Sequence, residues 1–354
     1  MFDKEPLTAI EAMTAAQTLA FAPLAFQAAM VMRDRGVLST LEKAKSKLGC
    51  SIGEIIETTD LSPYAVRILL EAGLGQKIIW MCDDRYFLSK LGYFFLNDEM
   101  TRVNCDFVRD VCYRAAAHLD EALLTGKPAG LKELGPWDTL YEGLSDLPEP
   151  ALSSWHRFDH FYSSQAFQYV VEKLMAEKPS HLLDVGCNTG KWAELCLTKI
   201  PDLTVGLVDL QLQLDQASRR LDAAGFTNRL AFYPRDVLKQ ETNLPEGYDI
   251  IWMSQFLDCF SEQQIIAILH KVRGALKKGG KLWILELFWD RQRFEAAALS
   301  LQQTSLYFSC IANGNSQMYD SKVFLDLIER AGLDVTRITD EVGGFHTLVE
   351  CRVR

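Results

Sequence analysis

The chain has 354 residues, 48% of them hydrophobic and 24% charged, with a formal net charge of −10. That balance predicts a well-packed protein of more than one domain, and its acidity excludes the basic face that nucleic-acid binding needs. Nine cysteines occur without C-x-x-C pairs, which reads as reduced thiols in a cytoplasmic protein, not a disulfide framework or a zinc site.

Residues 1–6 have no signal-peptide pattern, and the apolar region 9–32 is broken by Gln17, Pro23 and Gln27. It predicts buried helices and no membrane span. Helices are expected over about 8–48. A short helix follows at 51–56, and another starts near Asp60-Leu-Ser-Pro63, with Asp60 or Ser62 as cap. That helix should stop at Gly73. Residues 78–82 and 85–88, joined by Asp83-Asp84, read as a hairpin. Helix, turn, helix, hairpin is a winged-helix plan. Arg67 is offset by Asp60 and Glu71, so the second helix offers phosphates no positive stripe. The apolar N-terminal region instead predicts homodimerisation.

Residues 100–126 are expected to continue as helix. After loop punctuation at Pro136 and Pro148 comes an aromatic-rich segment with Trp155, Phe158, Phe161 and Tyr162. It precedes the next domain, a natural place for a pocket. The segments are therefore 1–105 (dimerisation), 106–175 (helical, substrate-lining) and 176–354.

The last segment alternates strands and helices, as a parallel sheet requires. Strands are expected at 181–185, 204–209, 230–233, 248–253, 281–287, 334–338 and 347–352. The first runs into D-x-G-x-x-x-G at Asp184, Gly186 and Gly190. Glycine lets backbone approach a ligand closely, and the following helix opens with unpaired N–H groups. A dinucleotide fingerprint would need a second glycine where Asn188 stands, and a phosphate loop would need a hydroxyl after Lys191. Asp209 ends the second strand about 20 residues after the glycine loop, where an acid can accept from both ribose hydroxyls. Asp236 ends the third, placed to accept from an adenine amino group. Glu286 closes the fifth strand, and an acid there is not simple core.

Together these residues resemble the dimeric small-molecule O-methyltransferases, the family that includes caffeate and hydroxyindole O-methyltransferases and bacterial relatives acting on polyketides. The resemblance covers nearly the whole chain. It implies an α/β fold, a seven-stranded Rossmann-like class I methyltransferase sheet whose last strand is antiparallel, behind a mostly α winged-helix dimerisation domain. It implies S-adenosyl-L-methionine (SAM) as cofactor, S-adenosylhomocysteine as product, a small-molecule acceptor, and neither metal, membrane nor nucleic acid. The cofactor positions it implies are Asp184, Gly186, Cys187, Gly190, Asp209, Leu210, Asp236, Val237, Ser254 and Gln255. Acceptor-lining positions are Trp155, Phe158, Tyr162, Phe308 and Met318; Tyr162 stands where the family usually has methionine.

The departures concern the catalytic positions. The family's base is the His of a His-Asp-Trp motif, which here reads Asp258-Cys259-Phe260. Glu286 is retained as a supporting acid, and a second usual Glu is absent near Met318. A phenol has a pKa near 10, imidazole about 6.5 and aspartate about 3.9, so an ordinary Asp is the weaker base by roughly 3.5 kcal/mol. Burial beside Glu286 would recover much of that. The expected reaction is O-methylation with Asp258 as base and Glu286 orienting or sharing the proton. The alternatives are C-methylation of a phenolic ring and a SAM-binding relative with hydroxylase- or decarboxylase-like activity. Cys187 and Cys259 read as space-fillers near the cofactor.

Overall fold

The computed structural model describes residue 5, residues 7–44 and residues 48–354; the side chains of residues 162–165 lie outside that description. The chain forms two compact units, 1–109 and 110–354. Residues 110–175 thus belong to the same unit as the strand–helix repeat.

In the first unit, helices α1 (Ala9–Ala20), α2 (Ala22–Asp34) and α3 (Val37–Lys43) precede α4 (Ile52–Thr58), α5 (Pro63–Gly75), the hairpin β1 (Ile79–Cys82) and β2 (Arg85–Leu88), then α6 (Lys90–Asn97) and α7 (Glu99–Phe107). Ser51 and Glu54 form a capping box on α4, and Ser62 caps α5 ahead of Pro63. The helix does not stop at Gly73. It runs on to Gly75, and Gly73 serves packing instead: a Cβ there would stand 2.9 Å from the Met32 side chain. Asp83 and Asp84 both take positive φ, which tightens the hairpin turn. Met32, Leu38, Ile55, Val66 and Ile79 fill the core. In contrast, α1 buries none of its residues, and Ile10, Met13 and Leu19 are more than 70% exposed. Among the described residues, no single helix is long and apolar enough to cross a membrane; α1 and α2 pass only as a pair bent by 71°.

The expected continuous helix over 100–126 is broken. Past α7 the backbone widens into a π turn (Val108–Cys112), tightens into a 3-10 turn (Ala115–His118), and regains α geometry in α8 (Leu119–Thr125).

The second unit continues with α9 (Ala151–Glu177), β3 (His181–Val185), α10 (Lys191–Lys199), β4 (Thr204–Asp209), α11 (Gln211–Ala223), β5 (Leu230–Pro234), β6 (Tyr248–Ser254), α12 (Glu262–Ala275), β7 (Leu276–Glu286), α13 (Glu295–Tyr307), α14 (Ser321–Arg330), β8 (Leu333–Val342) and β9 (His346–Val353). Seven described strands form one sheet in the order β5-β4-β3-β6-β7-β9-β8. All neighbours are parallel except β9, which runs antiparallel to β7 and β8. Strand β7 starts five residues earlier than the apolar run suggests, because Leu276 already pairs with Tyr248 before a register shift.

Side chains alternate across the sheet. Leu183, Ile251, Met253 and Ile284 pack under α12 and α14. Leu182, Ile250, Trp252, Trp283 and Leu285 pack on the other face, against α9, α10 and α11. Both faces are apolar, so the strands read as nearly continuous hydrophobic runs. The strand order reverses between β3 and β6, which opens a crevice at their C-terminal ends.

One close approach holds β4 in place. Gly206 faces the Tyr248 ring so tightly that a Cβ would stand 2.3 Å from its hydroxyl oxygen. We predict that Gly206→Ala lowers stability by about 1–3 kcal/mol, measured by chemical denaturation, because Tyr248 is buried and bonded to Tyr233.

Candidate active site

A cavity of about 470 Å³ opens at the crevice, within the size range of small-molecule sites. Strand ends supply one wall and α9 and α13 another.

At the end of β3, Gly186 (φ 78°) and Asn188 (φ 48°) turn the chain sharply. The Phe256 ring covers Gly186, where a Cβ would come within 2.2 Å of it. Gly190 (φ 74°) starts α10 between the cavity-lining Thr189 and Lys191 and packs toward α11, 3.1 Å from Ala217 if given a Cβ.

Asp184 is buried on β3 and lines the cavity; its Oδ2 has no hydrogen-bond partner. Burial, reinforced by the charge of Asp209, pushes its carboxyl well above the ordinary range. Asp209 ends β4. The Asn188 N–H donates to its Oδ2 and the Leu210 N–H to its Oδ1, both at 2.8 Å. Burial raises it to about 6 against the pull of these two donors. Each oxygen keeps accepting capacity toward the cavity. Asp236 follows β5 and accepts from the Leu238 N–H at 2.9 Å. Cys187, Leu210, Val237, Ser254 and Gln255 also line the cavity, and the Ser254 hydroxyl is buried without a partner. Buried polar atoms left unpaired on a cavity wall mark where a polar ligand belongs.

Beyond β6 a 3-10 turn, Leu257–Cys259, carries Asp258 into the cavity, although only 4% of the residue is exposed. The turn is pinned from behind. Glu286 Oε1 accepts from the Phe256 N–H at 3.1 Å and the Leu257 N–H at 2.9 Å. Glu286 itself is not on the cavity wall, and its Oε2 is buried without a partner. It positions the turn that bears Asp258. Burial raises Asp258 to about 7; the Cys259 thiol, donating at 3.5 Å, opposes this, and the charge of Asp159 adds to it. Burial and then the charge of Asp258 push Glu286 up as well. Two buried carboxyls in this relation titrate as a pair.

The same environment acts oppositely on His160, also on the wall. Burial, then the charge of Lys191, pulls it down to about 4. Here the carboxylates are stronger bases than the imidazole, reversing their usual order. Cys187 and Cys259 are pushed up by burial and stay thiols.

Trp155, Phe158, Phe308 and Met318 line the cavity as expected. The Tyr162 side chain lies outside the described residues. Sequence reasoning did not single out Tyr141, Asp159, Lys191 and Asn313, all of them on the wall, where Tyr307 joins Phe308. Tyr307 accepts from Trp155 Nε1 at 2.8 Å, and Asn313 Nδ2 donates to the Cys259 carbonyl at 2.6 Å. Tyr141 and Asn313 sit outside regular elements, where no periodicity announces them. Asp159 lies within the aromatic segment and Lys191 directly follows Gly190, so both had a positional signal.

The sheet order and the crevice at its strand ends are those of the class I methyltransferase fold. Residues 13–86 match a Dimerisation2-like domain and residues 183–282 match a methyltransferase domain. Its relatives include the L-tyrosine C(3)-methyltransferase of Streptomyces lavendulae, 23% identical over 84% of this chain and 81% of that one. The 3-amino-4-hydroxybenzoate 4-O-methyltransferase of Streptomyces cremeus is 25% identical over 64% of this chain and 59% of that one. The solved structure of the S-adenosylmethionine-dependent methyltransferase SibL matches 96% of this chain and 99% of its own with a TM-score of 0.71 at 22% identity.

Asp258 binds its proton more tightly when folded, at about 7 against an ordinary 3.8. The native state therefore loses stability relative to the unfolded chain as pH rises between those values. Asp258→Asn removes that loss. We predict a melting temperature raised by a few degrees at pH 8 and unchanged near pH 3.5, measured by calorimetry.

Proposed function

We propose that the cavity binds SAM and a hydroxylated aromatic acceptor, and that Asp258 takes the acceptor's hydroxyl proton. The observation that carries this is the row of acids at the strand ends that line one cavity, Asp184, Asp209, Asp236 and Asp258. These residues fit the cofactor. Asp209 would hold the ribose hydroxyls and Asp236 the adenine amino group. The unpartnered Asp184 Oδ2 would meet the α-ammonium, whose charge would return that carboxyl to its ionised form. When bound, SAM supplies a methyl group on a positively charged sulfur, open to in-line displacement.

The protein's own part is proton handling and alignment. Asp258 accepts the hydroxyl proton on a carboxylate whose affinity burial has matched to neutral pH. Glu286 holds the turn so that the carboxylate faces the acceptor. Trp155, Phe158, Tyr307 and Phe308 enclose an aromatic ring and exclude water. With oxygen as the methylated atom, the proton held by Asp258 is the only one to place. O-methylation with Asp258 in the usual histidine position is thus chemically complete.

The exposed apolar face of α1 and the Dimerisation2-like domain support a homodimer through the first unit. Nine unpaired cysteines suit a reducing, cytoplasmic compartment.

Calorimetric titration with S-adenosylhomocysteine tests the cofactor assignment. Binding should be detected, and Asp209→Ala should weaken it by about 10-fold or more, the cost of lost charge-assisted hydrogen bonds. No binding to the wild type overturns it. Mass spectrometry of products from SAM with L-tyrosine, 3-amino-4-hydroxybenzoate and a wider phenol panel tests transfer. Asp258→Asn should slow it on the order of 100-fold; a variant at the wild-type rate removes Asp258 from the base role.

A further inference from the structure

We infer that Tyr319 and Asn313 are positioning residues: they fasten the loop after α13, which lines the cavity, to the turn that bears Asp258, so that the proton acceptor and the wall facing it hold one geometry. This rests on the reading above in taking Asp258 as the proton acceptor, and it adds the groups that place it.

The 3-10 turn Leu257–Cys259 is three residues long, and so short a turn does not keep its place by its own hydrogen bonds. Glu286 pins its start through two backbone N–H groups. The carbonyls at its end must find partners elsewhere. Both partners come from the loop after α13, 54 and 59 residues further along the chain. Asn313 Nδ2 donates to the Cys259 carbonyl at 2.6 Å, and the Tyr319 hydroxyl donates to the Phe260 carbonyl at 2.7 Å. The turn is thus gripped at both ends, with Asp258 between them.

The loop that supplies these donors is itself braced. A π turn, Phe308–Ala312, follows α13, and the Ala312 carbonyl at its end accepts from the Leu140 N–H at 2.8 Å. Gly314 (φ 90°) lies so close to Gly126 and Lys127 that a Cβ would stand 2.6 Å from the Gly126 carbonyl oxygen. Asn313 Oδ1 accepts from the Asn315 N–H at 3.1 Å and from the Ser316 hydroxyl at 2.9 Å. Ser305 Oγ, on α13, accepts from the Met318 N–H at 3.1 Å. A loop held at this many points transmits a push; a slack one would absorb it.

These bonds do more than satisfy two carbonyls. Asn313, Asn315 and Met318 line the same cavity as Asp258, so the loop that holds the turn is also a wall that a bound acceptor presses on. Tyr319 stands behind that wall, 2% exposed and packed on Phe324. It reaches the chemistry only through the Phe260 carbonyl. Its hydroxyl therefore sets the stance of Asp258 without touching an acceptor. A shift of about 1 Å in a reacting group costs on the order of 100-fold in rate.

Tyr319→Phe keeps the ring and removes only the donor, so it is the discriminating variant. With full-length protein, SAM and the phenol panel, it should lower kcat by about 10-fold or more while the KM for SAM keeps its wild-type value. The pH–rate profile should move as well. In the wild type the rate rises with pH as Asp258 loses its proton, at about 7. A turn released at one end admits water, so in the variant that rise should come at lower pH. Asn313→Ala should move the profile the same way and also raise the acceptor's KM, because Asn313 lines the cavity. Carboxyl-carbon NMR of the ligand-free protein gives a readout independent of turnover, the Asp258 signal being assigned by its loss in Asp258→Asn. Asp258 should titrate at lower pH in Tyr319→Phe than in the wild type. A Tyr319→Phe variant that melts earlier yet keeps the wild-type kcat and pH profile overturns the inference and leaves the methyl-transfer reading standing. So does an Asp258 titration that Tyr319→Phe leaves unchanged. Absence of methyl transfer to any phenol by the wild type overturns the reading above, and the NMR titration then decides the positioning role by itself.

Discussion

Carboxyl groups held away from water, compensated mainly by backbone N–H groups, govern this site. Glu286 is the clearest case. One of its oxygens receives two amide protons from the turn after β6, and the other receives nothing. Asp209 is held in the same manner by the amides of Asn188 and Leu210. Asp184 lacks even that on one oxygen. Burying such groups is unfavourable, and the two apolar layers on either side of the sheet must offset it. The sheet is an anchor stiff enough to keep acids where they would not settle alone.

The consequence is an inverted order of basicity. In water imidazole outranks a carboxylate as a base near neutral pH. In this cavity burial disfavours every charged form, lifting Asp159 and Asp258 while lowering His160. Asp258 therefore keeps a proton to higher pH than an exposed aspartate would, because its surroundings are dry.

Much of this was legible in the residues. The buried strands show as apolar runs, and β3 and β4 fall within their expected bounds because an acid and a turn close each one. The start of β7 was hidden because Lys277, Lys278, Gly279 and Gly280 have no strand character; pairing with Tyr248 recruits that stretch. The helix expected over 100–126 breaks where local periodicity cannot register a change of backbone pitch. The cavity-lining positions of the sheet were readable since they lie at or just past strand ends. The role of Glu286 needed the third dimension: it acts through backbone amides about thirty positions earlier in the chain.

Phe256 links the two halves of the pocket mechanically. Its ring rests on Gly186 in the loop after β3, and its amide is fastened to Glu286 one residue before the turn that bears Asp258. A side chain at Gly186 would thrust that ring aside and tilt Asp258 with it. The donor and acceptor ends of the pocket are therefore not independent modules. Anyone reshaping one end to admit a new compound must treat this phenylalanine as a shared hinge pin.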